Sequence, residues 1–485
     1  MTGIRRAVLW ASFGRYVVMA INLITTLIIA RLLTPGEYGV SVLGSAVFAV
    51  AEAIRALGGG AYLIQQRELA AENIRTSFTV NLIMTVVLAA MVVLLAGPLT
   101  RYFDVPNLAR YLQVSTLGYL TGPFIYPISA LMSRQMAFGL IALISVVTAS
   151  VNAATSICLV ILGFSYMSFA WSSAVSAAAG MVFFFHYWKD WSIFRPILRE
   201  WRSVIAFGAY DSATAVLSQI GEALPYLILG RILNAEAVAL GQRAVLLSLF
   251  PERVILAGVG AVALPAFSQH IRDGGSPKSN YLRAIELITA AQWAALLFLI
   301  LLADPIVAIL LGPQWRGVAP LVEILGTALL FSFPVGLHYP TMVAVGAVRY
   351  MPPVVVVQVL VSITLLSFAA QGGLRAAALS MLLIVPFNSL LSLLIVRHFL
   401  GFRWVELASA TWKSAMSSVL SAMGPATMII VVGRHASLSI GAAMLMAGLS
   451  AIGWIGGLWL MCHPLLRELL RAKDEIWKTV QSAQR

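Results

Sequence analysis

The stretch ARLLTPGEYGV at residues 30–40 decides the fold, because it separates two long apolar segments by a short polar turn. A similar stretch, GRILNAEAVALG, occupies residues 230–241. The apolar segments before the two turns start alike, with FGRY at 13–16 and FGAY at 207–210. Each then ends with a small residue, an arginine, two aliphatic residues, a turn and a glutamate. The chain therefore uses one helix-and-turn pattern twice.

The composition is that of an integral membrane protein. Of 485 residues, 60% are hydrophobic and 11% are charged, and the mean hydropathy is +0.91, above ordinary water-soluble domains. Apolar runs of about 20 residues recur, each long enough to cross the hydrocarbon as a helix. The net charge of +13 is spread over short loops and forms no basic stripe, so nucleic acid is not an expected partner. The sequence predicts an all-α, polytopic fold.

Breaks at proline, glycine and charge clusters predict about fourteen transmembrane helices. Lysine and arginine concentrate in the segments that share a side with the N-terminus, so both termini are expected in the cytoplasm. After residue 460 we expect a basic amphipathic tail on the inner membrane surface, with a solvated tail as the alternative. The predicted spans are 8–30, 41–63, 77–97, 111–132, 137–162, 165–187, 204–230, 239–266, 284–311, 319–347, 353–370, 374–396, 411–432 and 437–460.

The first and seventh spans carry the repeated pattern, and because six spans separate their starts they enter the membrane in the same direction. This is typical of a parallel internal repeat of two six-helix lobes, with a substrate site between the halves. Chance similarity between apolar helices is the alternative. The predicted organisation is an N-terminal lobe at 1–203, a C-terminal lobe at 204–400, two further helices at 401–460 and the tail at 461–485.

Charged and polar residues inside four spans are the candidate site. An ionised side chain near the bilayer centre costs at least about 3 kcal/mol, so it faces a partner or a wet cavity. Arginine suits a diphosphate because it stays charged and donates paired hydrogen bonds. The alternative is that Glu52/Arg55 and Glu252/Arg253 are structural ion pairs. The candidates are Arg15 and Asn22 in span one, Glu52 and Arg55 in span two, Asp211, Gln219 and Glu222 in span seven, and Glu252 and Arg253 in span eight.

Enzymatic motifs are absent from the sequence. There is no GxxxxGK[ST] for ATP, no HExxH and no DxD. The six histidines are widely spaced, and the two cysteines fit neither a disulfide framework nor a metal cluster. We expect neither an enzyme nor a bound cofactor.

Three motifs give a resemblance to a known family: ARLLTPGEYGV after a span that starts FGRY, LGPQWRGVAPLVEILG at 311–326, and VAVGAVRY at 343–350. The chain resembles Wzx-type polysaccharide exporters, the lipid-linked oligosaccharide flippases of the multidrug/oligosaccharidyl-lipid/polysaccharide (MOP) superfamily. The resemblance implies a V-shaped pair of lobes around a central cavity, in the bacterial cytoplasmic membrane. It implies flipping of undecaprenyl-diphosphate-linked repeat units for O-antigen, capsule or exopolysaccharide, beside polymerase and chain-length proteins.

Related lipid II flippases use cavity arginines on the first, second and eighth spans, where this chain has Arg15, Arg55 and Arg253. The neighbouring Glu52 and Glu252 would neutralise two of them, which leaves the phosphate contact open. Asp211 and Glu222 are the expected sites for a coupling H⁺ or Na⁺. A membrane glycosyltransferase or polymerase on the same lipid carrier and a cation-coupled drug exporter are the alternatives.

Overall fold

A computed structural model describes residues 2–56, 63, 70–199, 201–272, 276–432 and 440–470. Within these ranges the chain is α-helical with short 3₁₀ turns and no strand. Nine of the helices described there are long and apolar enough to cross a membrane. The protein is a multi-pass, all-α membrane protein, as the composition predicted.

The chain divides into two compact units. Unit 1 comprises residues 1–242 and 366–374, and unit 2 comprises residues 243–365 and 375–485. The boundary at residue 242 lies within a helix that the two units share. The helices of unit 1 are α1 (Thr2–Leu32), α2 (Pro35–Ala56), α3 (Ala71–Phe103), α4 (Leu108–Tyr119), α5 (Gly122–Arg134), α6 (Phe138–Ile161), α7 (Met167–Tyr187), α8 (Trp201–Ile232) and the first turns of α9 (Ala235–Arg272).

Unit 2 continues from α9. Its apolar core joins α10, α13, α15 and α16 around a stacked pair of rings, Tyr281 and Phe402. The helices of unit 2 are α10 (Pro277–Leu301), α11 (Ala303–Leu310), α12 (Val318–Leu329), α13 (Val335–Ala344), α14 (Met351–Ala370), α15 (Leu374–Leu400), α16 (Trp404–Val432) and α17 (Ile440–Leu460), of which residues 366–374 in α14 and α15 belong to unit 1.

The repeated stretches form matching helix starts. Thr34 caps α2: its hydroxyl accepts from the Glu37 amide at 3.4 Å, and the Glu37 carboxylate accepts from the Thr34 amide at 2.9 Å. Asn234 caps α9, where its side-chain oxygen accepts from the Ala237 amide at 2.8 Å. Both arrangements satisfy backbone N–H groups that a helix start leaves free. The two turns thus do the same structural task with different residues.

The two stretches also pack on each other inside unit 1. Gly39 touches the backbone of Ala235 so closely that a side chain there would overlap its carbonyl oxygen. Gly230 receives the side chain of Leu43 in the same manner. The Tyr38 hydroxyl donates to the Gln242 side chain at 3.3 Å. The glycines of the pattern are therefore sites of close helix approach.

Two predicted spans are each divided into two short helices. Span 111–132 comprises α4 and α5, and span 319–347 comprises α12 and α13. Pro123 and Pro334 lie at the breaks, where their rings remove a backbone donor and clash with a continuing helix. Counted within each predicted half, both are the fourth span.

Candidate functional site

A cavity of about 550 Å³ lies within unit 1, between α2 and α8. Its volume falls in the usual range for small-molecule sites. Its lining residues are Tyr38, Ser41, Val42, Ser45, Ala46, Ala49 and Glu52 from α2, Phe169 from α7, Gln219, Glu222, Ala223 and Tyr226 from α8, and Gln242 from α9.

Helix α2 presents one continuous face to this cavity. Positions 38, 42, 45, 49 and 52 alternate spacings of four and three, the spacing that keeps residues on one side of a helix. At 1.5 Å of rise per residue, the face from Tyr38 to Glu52 is about 21 Å long. Serine and alanine occupy most of its middle, so the cavity exists because the side chains there are small.

Most other lining groups are polar. Helix α8 contributes Gln219, Glu222 and Tyr226, which lie on one side at spacings of three and four. Gln242 adds an amide, and Phe169 packs edge-on against Tyr38 with ring centroids 5.5 Å apart. Carboxylates, amides, hydroxyls and aromatic faces therefore meet in one space.

Glu52 marks one end of the α2 face and binds Arg55, as their spacing on one face predicted. The guanidinium donates to the carboxylate from Nε at 3.1 Å and from Nη2 at 2.6 Å to the same oxygen. Its Nη1 donates to the Asn81 side chain at 3.4 Å. The carboxylate also accepts from the Tyr126 hydroxyl. Glu52 is thus held by Arg55 from its own helix and by Tyr126 from α5.

Arg55 is the buried member of this ion pair and does not line the cavity. Its side chain is 5% exposed, against 36% for Glu52. The guanidinium carbon lies 4.1 Å from the ring centre of Tyr126 and 5.3 Å from that of Tyr119. A β-carbon on Gly122 would lie 2.7 Å from Nη1. With these donors engaged and two tyrosine rings against the guanidinium, Arg55 reaches a ligand only after a rearrangement.

The other unit 1 candidates differ in exposure. Arg15 and Asn22 are exposed on α1, and neither hydrogen-bonds nor pairs with any residue whose side chain the structure describes. Glu222 is exposed toward the cavity and is likewise unpaired within the described ranges. The Asp211 side chain lies outside the described residues.

In unit 2, Glu252 is held by neutral groups. Its carboxylate accepts from the Ser332 hydroxyl at 3.1 Å and from the Gln292 amide at 3.4 Å. Gln292 also donates to Ser332 at 2.9 Å, which closes a three-membered network. Arg253 is exposed and forms no ion pair with Glu252. The structural-pair interpretation thus describes Glu52 and Arg55 but not Glu252 and Arg253.

Sequence reasoning missed several neutral residues of these sites. Ser41, Ser45, Tyr226 and Gln242 line the cavity, while Ser332 lies at the break between α12 and α13. The three-and-four spacing along residues 38–52 was a detectable signal for the α2 face. Nothing local indicated Ser332, because its partners lie on other helices.

The matches to known proteins agree with this architecture. Residues 28–320 match the family described as polysaccharide biosynthesis protein. The chain belongs to the polysaccharide biosynthesis protein family. This confirms the resemblance that the sequence motifs indicated.

Relatives of this polysaccharide biosynthesis family member come from several bacteria. An uncharacterized membrane protein in the cps region of Klebsiella pneumoniae is 22% identical over 79% of this chain and 80% of its own length. The lipopolysaccharide biosynthesis protein WzxC of Escherichia coli K12 is 22% identical over 65% of each chain. The succinoglycan biosynthesis transport protein ExoT of Rhizobium meliloti is 24% identical over 71% of this chain and 69% of its own length.

Solved structures share the fold of this family member. The lipid II flippase MurJ, in an inward closed conformation, has a TM-score of 0.76 at 11% identity, covering 95% of this chain and 100% of its own. An inward-facing multidrug resistance transporter of the MATE family in the MOP superfamily has a TM-score of 0.65 at 16% identity, covering 79% of this chain and 94% of its own. The predicted all-α, polytopic fold class is confirmed, since these structures share it.

Proposed function

We propose that this protein flips polyprenyl-diphosphate-linked oligosaccharide repeat units across the bacterial cytoplasmic membrane, from the cytoplasmic to the periplasmic leaflet. One observation carries the proposal: a member of a polysaccharide biosynthesis family contains a cavity with amide, hydroxyl and carboxylate groups between helices of an apolar, membrane-spanning unit. A sugar head needs such a polar route, whereas a polyprenyl tail remains soluble in lipid.

The protein is a transporter and not an enzyme. One relative named as a transport protein and one named as a lipopolysaccharide biosynthesis protein, with a flippase among the fold neighbours, support this class. A polymerase and chain-length proteins of the same pathway take the exported unit, and both termini face the cytoplasm.

Arg15 and Arg253 are the proposed phosphate contacts. Each exposes its guanidinium from a membrane helix without an ion-pair partner among the described side chains. An uncompensated charge at this depth is stable only beside water or an anion. Arg55 instead holds Glu52 in place, because its donors are already engaged. Asn22, about two helical turns after Arg15 on α1, supplies a neutral donor to the same headgroup.

Transport is coupled to H⁺ or Na⁺ through a carboxylate. Asp211 and Glu222 were predicted for this role; among the carboxylates whose side chains the structure describes, we propose Glu252 for it, because Ser332 and Gln292 hold it without an ion pair, whereas Glu222 faces the cavity. Where side chains are described, no group of three or more His, Cys, Asp or Glu residues forms a metal site. A single carboxylate exchanging a monovalent ion is consistent with that finding.

The leaflet distribution of lipid-linked oligosaccharide tests this function. In cells lacking the protein, a membrane-impermeant sugar probe should find complete repeat units only on the cytoplasmic side. Truncated units would indicate a glycosyltransferase instead. Complete but unpolymerised units on the outer side would indicate a polymerase.

A cation-coupled drug exporter is the second candidate, and Glu222 is the observation that favours it. An unpaired carboxylate beside aromatic rings also suits an organic cation. Unchanged repeat units in the deletion strain, together with loss of efflux of hydrophobic cations, would select this reading.

A further inference from the structure

We infer that the unit 1 cavity is the sugar subsite of this transporter and that it accepts neutral or amino-bearing sugars while rejecting uronates and other anionic sugars. The inference rests on the proposed function and adds a charge specificity to it. Its basis is the lining of the space between α2 and α8.

The cavity has the hydrogen-bonding groups that a sugar requires. Carboxylates and amide oxygens accept from adjacent hydroxyls, while amide N–H and phenol O–H groups donate to them. Glu222, Gln219, Gln242 and Tyr226 supply these groups from two helices. A sugar ring also offers an apolar C–H face, which packs on aromatic rings such as that of Phe169. These groups can satisfy the hydroxyls of a polyol.

One wall of the cavity, the α2 face, is long enough for a short glycan. The α2 face of about 21 Å is smooth because serine and alanine lie between Tyr38 and Glu52. Several sugar units in a row would fit along it. A compact ion or a single small molecule would leave most of this face without a partner.

The charges on the lining exclude anions. Among the lining residues the ionisable carboxylates are Glu52 and Glu222, and no lysine or arginine lies with them in the described part of the chain. Arg55 compensates Glu52 from below, so Glu222 leaves the space with one net negative charge. A uronate placed beside Glu222 would meet a like charge in a medium less polar than water.

The diphosphate belongs elsewhere for the same reason. Two negative phosphates need cationic donors, and Arg55, which binds the lining residue Glu52, is itself 4% exposed. Arg15 and Arg253, the proposed phosphate contacts, are not among the lining residues. The sugar and the diphosphate therefore use different groups of this chain.

Reconstitution with two matched substrates tests the inference. The purified full-length protein is placed in vesicles that contain one of two undecaprenyl-diphosphate trisaccharides. One probe carries three glucose units, and in the other a glucuronate replaces the middle unit. The initial rate of flipping is followed by the exposure of each probe to a membrane-impermeant glycosidase.

We expect the wild type to move the neutral probe at least about tenfold faster, the discrimination that one close like-charge contact provides. Glu222→Gln should reduce that preference to about twofold, and Glu222→Lys should reverse it. Glu236→Lys is the matched control, because it makes the same charge change on an exposed residue of unit 1 outside the cavity. It should leave the preference unchanged.

The inference fails, with the flippase function intact, if the wild type moves both probes equally or if Glu222→Gln keeps the full preference while still moving the neutral probe. If the protein moves neither probe, the proposed function fails and the inference with it. Accumulation of tetraphenylphosphonium that depends on Glu222 would in that case assign the cavity to organic cations.

Discussion

Glu52 and Glu252 lie equally far along the chain from the capping residues Thr34 and Asn234, at matching positions of the predicted repeat. In unit 1 the carboxylate is bound by an arginine that is buried under tyrosine rings. In unit 2 it is bound by a serine hydroxyl and a glutamine amide. The comparison teaches that similar helices keep a carboxylate inside a membrane protein in two ways. The ion pair of Glu52 requires a charged carboxylate, whereas the hydrogen bonds of Glu252 tolerate its neutralisation.

The largest expected effect comes from removing the buried cation. Arg55→Ala leaves Glu52 and Asn81 without their donor, so we expect a loss of about 3–5 kcal/mol in unfolding free energy. The measurement is thermal unfolding in detergent, followed by size-exclusion chromatography. Arg253→Ala is the control and should leave stability unchanged, since that side chain is exposed and unpaired. A folded, stable Arg55→Ala protein that cannot flip substrate would restore the direct phosphate role.

The two carboxylates should respond unequally to the same substitution. Glu52→Gln strands the charge of Arg55 and should destabilise the protein by about 2–3 kcal/mol, whereas Glu252→Gln keeps an acceptor for Ser332 and should cost about 1 kcal/mol or less. Chemical unfolding of both variants in one detergent measures the difference. Equal losses would show that the partners of the two carboxylates do not matter.

The role of neutral donors can be isolated at Ser332. Ser332→Ala removes a hydroxyl that donates to Glu252 and accepts from Gln292, and we expect a loss of about 1–2 kcal/mol. Ser332→Thr, which keeps the hydroxyl, should recover most of that stability. If the threonine variant is as unstable as the alanine variant, packing and not hydrogen bonding holds the network.

The helix caps should behave alike where the carboxylates differ. Thr34→Ala and Asn234→Ala should each cost about 1 kcal/mol, the usual value of an N-terminal cap. Thermal unfolding of the two variants side by side provides the test. A loss confined to one of them would mean that the two repeat turns are not equivalent.

A titratable group outside the membrane spans extends the comparison to pH. His463 is buried, and burial lowers its pKa to about 4, with Lys413 and Arg283 acting in the same direction. Its Nδ1 accepts from the Leu465 amide at 3.1 Å, so the neutral ring carries its proton on Nε2 beside Ser414. As for Glu252, neutral partners hold the group.

Because the folded state holds His463 neutral, its contribution is complete above the ordinary pKa of 6.5 and declines as the pH falls from 6.5 toward 4. We expect hydrogen exchange at residues 464–470 to accelerate over that interval. His463→Gln should remove this dependence, while exposed His398 replaced by glutamine should not. A wild-type hydrogen-exchange rate that does not change with pH over this interval would contradict the role assigned to His463.

The cavity shows how far prediction from sequence extended. Glu52 and Glu222 were predicted because charges in apolar helices stand out against their surroundings. The i, i+3 spacing also predicted that Glu52 and Arg55 share a face. The spacing could not show which of the two faces the cavity, since that depends on Tyr126, Asn81 and Gly122 from helices far along the chain.

The sequence by itself determined that this is a polytopic helical membrane protein with a repeated helix-turn pattern, because hydropathy and turn residues act locally along the chain. It also determined the family, through motifs at the ends of spans. Only the tertiary structure decided that Arg55 is covered, that Glu252 has neutral partners and that serines of α2 line a cavity with Glu222. The burial of a side chain and its hydrogen-bond partners depend on contacts between segments that are distant in the sequence. No local sequence pattern contains that information.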